Sequence, residues 1–224
     1  LLGALFASGA AIAQTAQPRM SFDFKDPALT PAVYHLEFDA NGIGHYHSEP
    51  ISGSGPDAAG VAPQPFDHPL EVSAPVRDQL LALAHSRRLL DGDCESRQHK
   101  VAFTGAKTIT YTGPDVRASC TFNWSQDPQV MKAASAFIAI ASTLEAGRQL
   151  RLSYLHDRLS LDAELETLAN EVKSGNALEI ENIAPELQAI ASDTAVMKRA
   201  QARAAALLAS APVVGETASI QTSH

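Results

Sequence analysis

Cysteine, tryptophan and methionine are all scarce in this chain of 224 residues, at two, one and three copies, and aromatic side chains make up 6%. Two cysteines exclude a disulfide-dense scaffold and a four-thiolate zinc site. Thirteen glycines and thirteen prolines are too few for a collagen-like or low-complexity chain. No apolar run reaches the roughly 20 residues that a membrane-spanning helix needs. Positive charge is the scarcer sign, with 17 Lys and Arg against 25 Asp and Glu and a net charge of -8. That balance excludes a general nucleic-acid binder held by phosphate contacts. The motifs that announce common chemistry are missing too: there is no G-x-S-x-G, H-E-x-x-H, G-x-x-x-x-G-K-[ST] or G-x-G-x-x-G. What is present, 45% hydrophobic and 19% charged residues, suffices for one substantial core or two small ones.

Residues 1–13 are apolar, uncharged and rich in small side chains, and they end in Ala11-Ile12-Ala13, an A-x-A signal-peptidase pattern. The stretch reads as part of a signal peptide, so the expected location is periplasmic or secreted. An exported chain can pair Cys94 with Cys120, with Cα atoms expected about 5–6 Å apart. Closing that loop stabilises the fold by about 3–4 kcal/mol in the chain-entropy model.

Patterning divides the rest. Residues 14–32, punctuated by Pro18, Pro27 and Pro31, read as an irregular lead-in, and a hairpin follows over 33–39 and 43–49. Residues 51–65 read as a loop. Ser73 is placed to cap a helix beginning at Ala74-Pro75, with Val76, Leu80, Leu83 and Ala84 as its apolar stripe and Asp91-Gly92 as its stop. A three-strand meander is expected next, built on Val101 and Phe103, on Ile109 and Tyr111, and on Cys120, Phe122 and Trp124. From Asp127 the period lengthens from 2 to 3.6. The first stripe runs from Val130 through Phe137, Ile140 and Leu144 to Gly147. Then come Leu161, Leu165, Leu168 and Val172; Ile183, Leu187 and Ile190; and Val196, Ala200, Ala204 and Leu207. The expected fold class is α+β: a small antiparallel sheet backed by helices, then a C-terminal helical bundle. Its expected parts are a mixed unit over 20–148, a helical unit over 158–209 and a disordered tail over 210–224.

The run KTITYTGPDVRASCTFNWS, residues 107–125, resembles a group of uncharacterised secreted bacterial proteins through its lysine-led strand, Gly-Pro turn and Ser-Cys-Thr-Phe-Asn. The resemblance implies a shared fold and export, and brings no activity with it. Residues 183–208 are similar to a single HEAT-type helical pair, through the early proline, the Asp at the turn, and Val196, Arg199 and Ala200.

The candidate site residues are His35, Glu37, His45 and His47. Asp39-Ala40-Asn41-Gly42 can form a type I turn closed by a left-handed glycine. That turn pairs Glu37 with His45 and His35 with His47, and sends Tyr34, Leu36, Phe38 and Tyr46 to the opposite face. Three imidazoles and a carboxylate then share one face. Two readings are open: a solvated polar face, or a site for zinc or copper. Tyr154-Leu155-His156-Asp157-Arg158 reads as surface pairing, and Asp162, Glu164, Glu166 and Glu171 as the wet face of a helix. With no cofactor motif and no nucleophile–base set, the functional expectation is a non-catalytic binding or interaction protein of the bacterial envelope. Another protein is its expected partner, through the helical unit; the alternative is a metal-binding protein or metalloenzyme using the histidine face.

Overall fold

Met20, Phe22 and Phe24 alternate with Arg19, Ser21, Asp23 and Lys25, and this period of two makes a strand where prolines had indicated a lead-in. The computed structural model describes residues 17–50, 63–84, 94–96 and 101–210, and in it β1 (Arg19–Lys25) pairs antiparallel with strands on both sides. Pro18 and Pro27 flank the strand rather than interrupt it, so their missing N–H groups cost the ladder nothing. The hairpin forms as expected from β2 (Val33–Asp39) and β3 (Ile43–Glu49), in the expected register. Gly42 adopts φ +84°, and its N–H donates to the Asp39 carbonyl at 2.9 Å.

A further strand was not foreseen. β4 (Phe66–Glu71) pairs with β3 at the sheet edge, where the absent N–H of Pro69 is tolerated. Helix α1 (Ala74–Ala84) then buries Leu80, Leu83 and Ala84. Its expected stop at Asp91-Gly92 lies outside the described residues, as do the 1–13 stretch and most of the C-terminal tail. Ser73 stands just before α1, its carbonyl accepting from the Arg77 N–H at 2.9 Å, while its hydroxyl donates to Glu179 at 2.8 Å.

The expected three-strand meander is a two-strand hairpin, β5 (Ala106–Thr112) and β6 (Arg117–Phe122). Val101 and Phe103 lie outside any strand, and Phe103 is 60% exposed. The full order is β4-β3-β2-β1-β5-β6, antiparallel throughout. One face carries Met20, Phe22, Tyr34, Leu36, Phe38, Tyr46, Leu70, Ile109 and Phe122 into the core.

Helix α2 (Pro128–His156) lies on that face. Asp127 caps it by accepting from the Gln129 N–H, with Pro128 in the first turn. Phe137 stacks on Phe22 with centroids 5.0 Å apart. Each such buried aromatic ring contributes about 1.5–3 kcal/mol. The helix does not end at Gly147. The missing side chain there admits Ile183, with which a Cβ at this position would collide. Of the described helices, only α2 is long and apolar enough to cross a membrane, with a mean hydropathy of 1.2 over its best window, and 61% of that window is buried inside the protein.

Helix α3 (Leu161–Ser174) stops at a left-handed Gly175, as its sequence indicated. A 3-10 turn (Ile180–Ile183) leads into α4 (Ala184–Ser192), and α5 (Lys198–Ser210) packs on α3 and α4. Leu161, Leu165, Leu168, Ile183, Leu187, Ile190 and Leu207 are buried, so the expected helical stripes meet one another and α2. The core runs without a break from the sheet to α5. Asp162 departs from the wet-face expectation: it is buried, and paired with Arg199 and Arg203 across to α5. Those guanidiniums, Arg199 foremost, hold its carboxyl below the ordinary range.

Candidate functional site

The register sets His35 opposite His47 and Glu37 opposite His45 on the outer face of the sheet, as expected. The structure adds carboxylates from the two strands that were not foreseen. Asp23 of β1 meets His35 Nδ1 at 2.8 Å, and Asp67 of β4 meets His47 Nδ1 at 2.8 Å. His47 Nε2 contacts Glu49 at 3.0 Å, and His45 Nε2 lies 3.6 Å from Asp67. Glu37 lies 3.8 Å from Arg19 and 4.0 Å from His35. The four candidates therefore share a face but do not converge. Among the described residues, no group of three or more His, Cys, Asp or Glu is placed to hold a metal ion. The Asp67 and Glu49 hydrogen bonds raise the pKa of His47 above its ordinary value.

The opposite end of the sheet carries the disulfide. Cys94 and Cys120 are bonded, with Cα atoms 5.6 Å apart, and hold residues 94–96 beside β6. The Ser96 N–H donates to the Trp124 carbonyl at 2.9 Å, and the Asn123 N–H donates to Glu95. Nearby, buried Lys107 donates to the carbonyls of Thr104, Gly105 and Asn123 at 2.9–3.0 Å. Burial lowers its pKa. With three carbonyl acceptors and the Phe24 ring 5.7 Å away, this ammonium ties the start of β5 to the end of β6. Its place as the first polar residue of a β-run was the only sequence signal for that role.

Two of the cavities among the described residues lie along β4. A cavity of about 740 Å³ opens between the β4–α1 connection and residues 179–185, lined among others by Glu71, Ser73, Arg77, Glu179, Glu181 and Asn182. A second of about 440 Å³ lies between β4, α2 and the start of α4, lined among others by Phe66, Arg148, Arg151, Leu152, Ile183 and Glu186. His68 and Pro69 line both, so the two form one cleft along the edge strand.

Its walls are fixed by long-range polar contacts. The Asn182 amide pairs with the main chain of Glu71 in both directions, accepting at 2.8 Å and donating at 2.9 Å, as another strand would. Glu179 accepts from the Ser73 N–H at 3.0 Å and from its hydroxyl at 2.8 Å. Glu179 is also the one non-glycine residue with positive φ among those described, at +60°. Desolvation raises the pKa of its carboxyl, with Glu181 and Glu71 adding to the rise against the Ser73 hydrogen bonds. Behind the second cavity, Glu145 accepts from Tyr46 at 2.9 Å, from Ser48 at 2.6 Å and from Arg148 at 2.8 Å. Burial, reinforced by Glu145, pushes the Tyr46 phenol well above its ordinary pKa, so it stays a donor. Arg148 is thereby held over the Phe66 ring, 5.8 Å from its centroid.

Two carboxylates of the cleft have no such arrangement. Both oxygens of Glu181 and Oε2 of Glu186 are shielded from solvent and make no hydrogen bond. In the 154–158 segment, Arg158 pairs with Asp193 at 3.2 Å and lies over the Tyr154 ring, whose hydroxyl donates to the same Asp193. That is surface pairing, with Asp193 rather than Asp157 as the acid. The helical stripes are occupied by this chain's own helices, while Leu155, Leu159 and Met197 remain exposed. The sequence matches no protein-family model, and no curated protein matches it.

Proposed function

We propose that the chain is an exported, non-catalytic binding protein that holds a small ligand in the cleft beside β4. The observation that carries this reading is the cleft itself: two adjoining cavities of about 740 and 440 Å³, walled largely by apolar side chains with a few polar groups converging on them. That is the size and lining typical of small-molecule sites. Export is supported by the apolar 1–13 stretch with its A-x-A end and by the disulfide, which persists in oxidising compartments such as the periplasm or the extracellular space. Binding rather than catalysis is supported by where the reactive groups are committed. Both thiols are spent in the disulfide, and His35 and His47 stand with their carboxylate partners on the outer face of the sheet.

The test is a screen of small polar and amphipathic metabolites against isotope-labelled full chain by NMR. Ligands of this site will perturb the amides of 66–73 and 179–186 and leave the outer sheet face unmoved. Hits that cluster on that face, or turnover of any compound, reject the reading. A zinc or copper site is the competing reading, favoured by Asp67 lying against both His47 and His45. Saturable metal uptake at neutral pH that His45→Ala with His47→Ala abolishes would establish it.

A further inference from the structure

A guanidinium carries five N–H donors in a fixed fork, and a largely buried one is normally given acceptors for most of them. Arg148 is given one. Its side chain is 28% exposed, and its Nε donates to Glu145 Oε2 at 2.8 Å. Among the described residues nothing accepts from Nη1 or Nη2, and neither nitrogen is sealed from water. The group is nonetheless fixed. The other oxygen of Glu145 accepts from Tyr46 and Ser48, both buried, so the sheet holds the acid that holds the arginine. The Phe66 ring lies 5.8 Å from the guanidinium. What remains of Arg148 is the outer edge of its fork, in the wall of the 440 Å³ cavity. Arg151, three residues further along α2, lines the same cavity, is exposed, and makes no ion pair among the described residues. The acids of this cavity answer neither arginine. Asp67 sends its carboxylate to His47 on the other face of the sheet, and Glu186 stays outside ion-pair distance of both, with Oε2 shielded. The walls between are hydrocarbon, and one of them, Leu155, stands 61% exposed.

We infer that this cavity binds an organic monocarboxylate, its head on the terminal N–H groups of Arg148 and on Arg151, its apolar body against Phe66, Leu152 and Leu155. This rests on the cleft being the ligand site and adds the class of ligand. The two terminal nitrogens of a guanidinium match the two oxygens of a carboxylate, and charge-assisted pairs of this kind are the strong ones. A fork already held by its Nε loses little freedom when the ligand arrives. An inorganic anion would leave the hydrocarbon walls uncovered, and a neutral apolar molecule would leave the fork unanswered. In a chain of net charge -8, two uncommitted guanidinium edges at one cavity are a local reversal of sign.

Isothermal titration of the full chain with phenylpropionate and octanoate, against the primary amide and the alcohol of each skeleton and against inorganic phosphate, tests the inference. The carboxylates will bind saturably at neutral pH, roughly tenfold or more tighter than their neutral analogues, and will shift the backbone amides of Phe66 and of residues 147–155. Arg148→Lys keeps the charge but removes the fork, and will weaken carboxylate binding roughly tenfold. Arg151→Gln, at an exposed position, will weaken it by a smaller factor and leave the melting temperature unchanged. If the amides or alcohols bind as tightly at the same signals, the cleft is a ligand site but the carboxylate is overturned. Phosphate binding as tightly as the organic acids overturns the apolar half of the inference. Carboxylate binding that neither arginine substitution weakens overturns it as well. If the carboxylates leave the cleft amides unmoved while the wider metabolite screen moves them, the ligand class falls and the cleft stands. If both are silent there, the cleft reading falls too.

Discussion

The outer face of the sheet and the cleft at its β4 edge are both rich in ionisable side chains, yet they treat them oppositely. On the face, each acid has water, and His35, His45 and His47 each have a carboxylate within 4 Å, on side chains at least a third exposed. Charges there are cheap to hold, and their pairing contributes little. In the cleft some carboxylate oxygens are shielded, and both oxygens of Glu181 and one of Glu186 make no hydrogen bond. The comparison shows that an abundance of metal-ligating residue types does not mark a site by itself. What distinguishes the cleft is polar groups held out of water without their partners.

The largest effect expected in separating the two regions comes from neither. Reducing Cys94–Cys120, which closes a separation of 26 residues at the far end of the sheet, will lower stability by about 3–4 kcal/mol. Ligand binding at the cleft should persist in the reduced folded protein. Chemical denaturation with and without reductant measures the first, and titration in reductant the second. Gly147→Ala comes next, because the added Cβ meets Ile183 in the cleft wall. A loss of about 1–3 kcal/mol is expected from such overpacking, with cleft binding weakened and the His47 titration unchanged. Asn182→Ala removes two hydrogen bonds from the main chain of Glu71, for a loss of about 1–2 kcal/mol. Hydrogen exchange will then rise at Glu71 and stay constant across β2 and β3.

The smallest effect belongs to the open face. His47 has a raised pKa in the folded state, so its pairing stabilises the fold fully below the unfolded value of roughly 6.5 and is lost as pH rises through the folded value. Asp67→Asn will therefore lower the NMR titration midpoint of His47. It will cost stability at pH 5.5 rather than at pH 8.5, by no more than about 0.5 kcal/mol for so exposed a pair. A large cost at pH 8.5 would mean that the face holds the fold together and that the contrast with the cleft is false.

The sequence allowed one of these regions to be read and concealed the other. The hairpin register followed from a single local fact, that only a bulged turn at Asp39–Gly42 separates Tyr34, Leu36 and Phe38 from the histidines. The four helical stripes and the cysteine pair were legible for the same reason: each pattern is complete within one segment or fixed by compartment. β1 was obscured because the prolines around it were read as punctuation, when Pro18 only precedes the strand, and β4 went unread between the 51–65 loop and the helix at Ala74, a short edge strand interrupted by Pro69. With them went Asp23 and Asp67, the partners that turn the histidines from a cluster into separate pairs. The cleft had no local signature at all. Asn182 and Glu71 are 111 residues apart, Glu179 and Ser73 are 106 apart, and nothing around Glu179 announces its left-handed backbone.

That separation has a consequence for how the chain acquires its shape during synthesis. β4 emerges more than a hundred residues before the amide that closes its outer rim, and contacts so distant in sequence form late. Until Asn182 arrives, the end of the strand offers a free N–H and carbonyl at Glu71, the kind of rim on which a neighbouring nascent chain can add a strand of its own. The asparagine therefore acts as a terminator of sheet growth as well as a wall of the cleft.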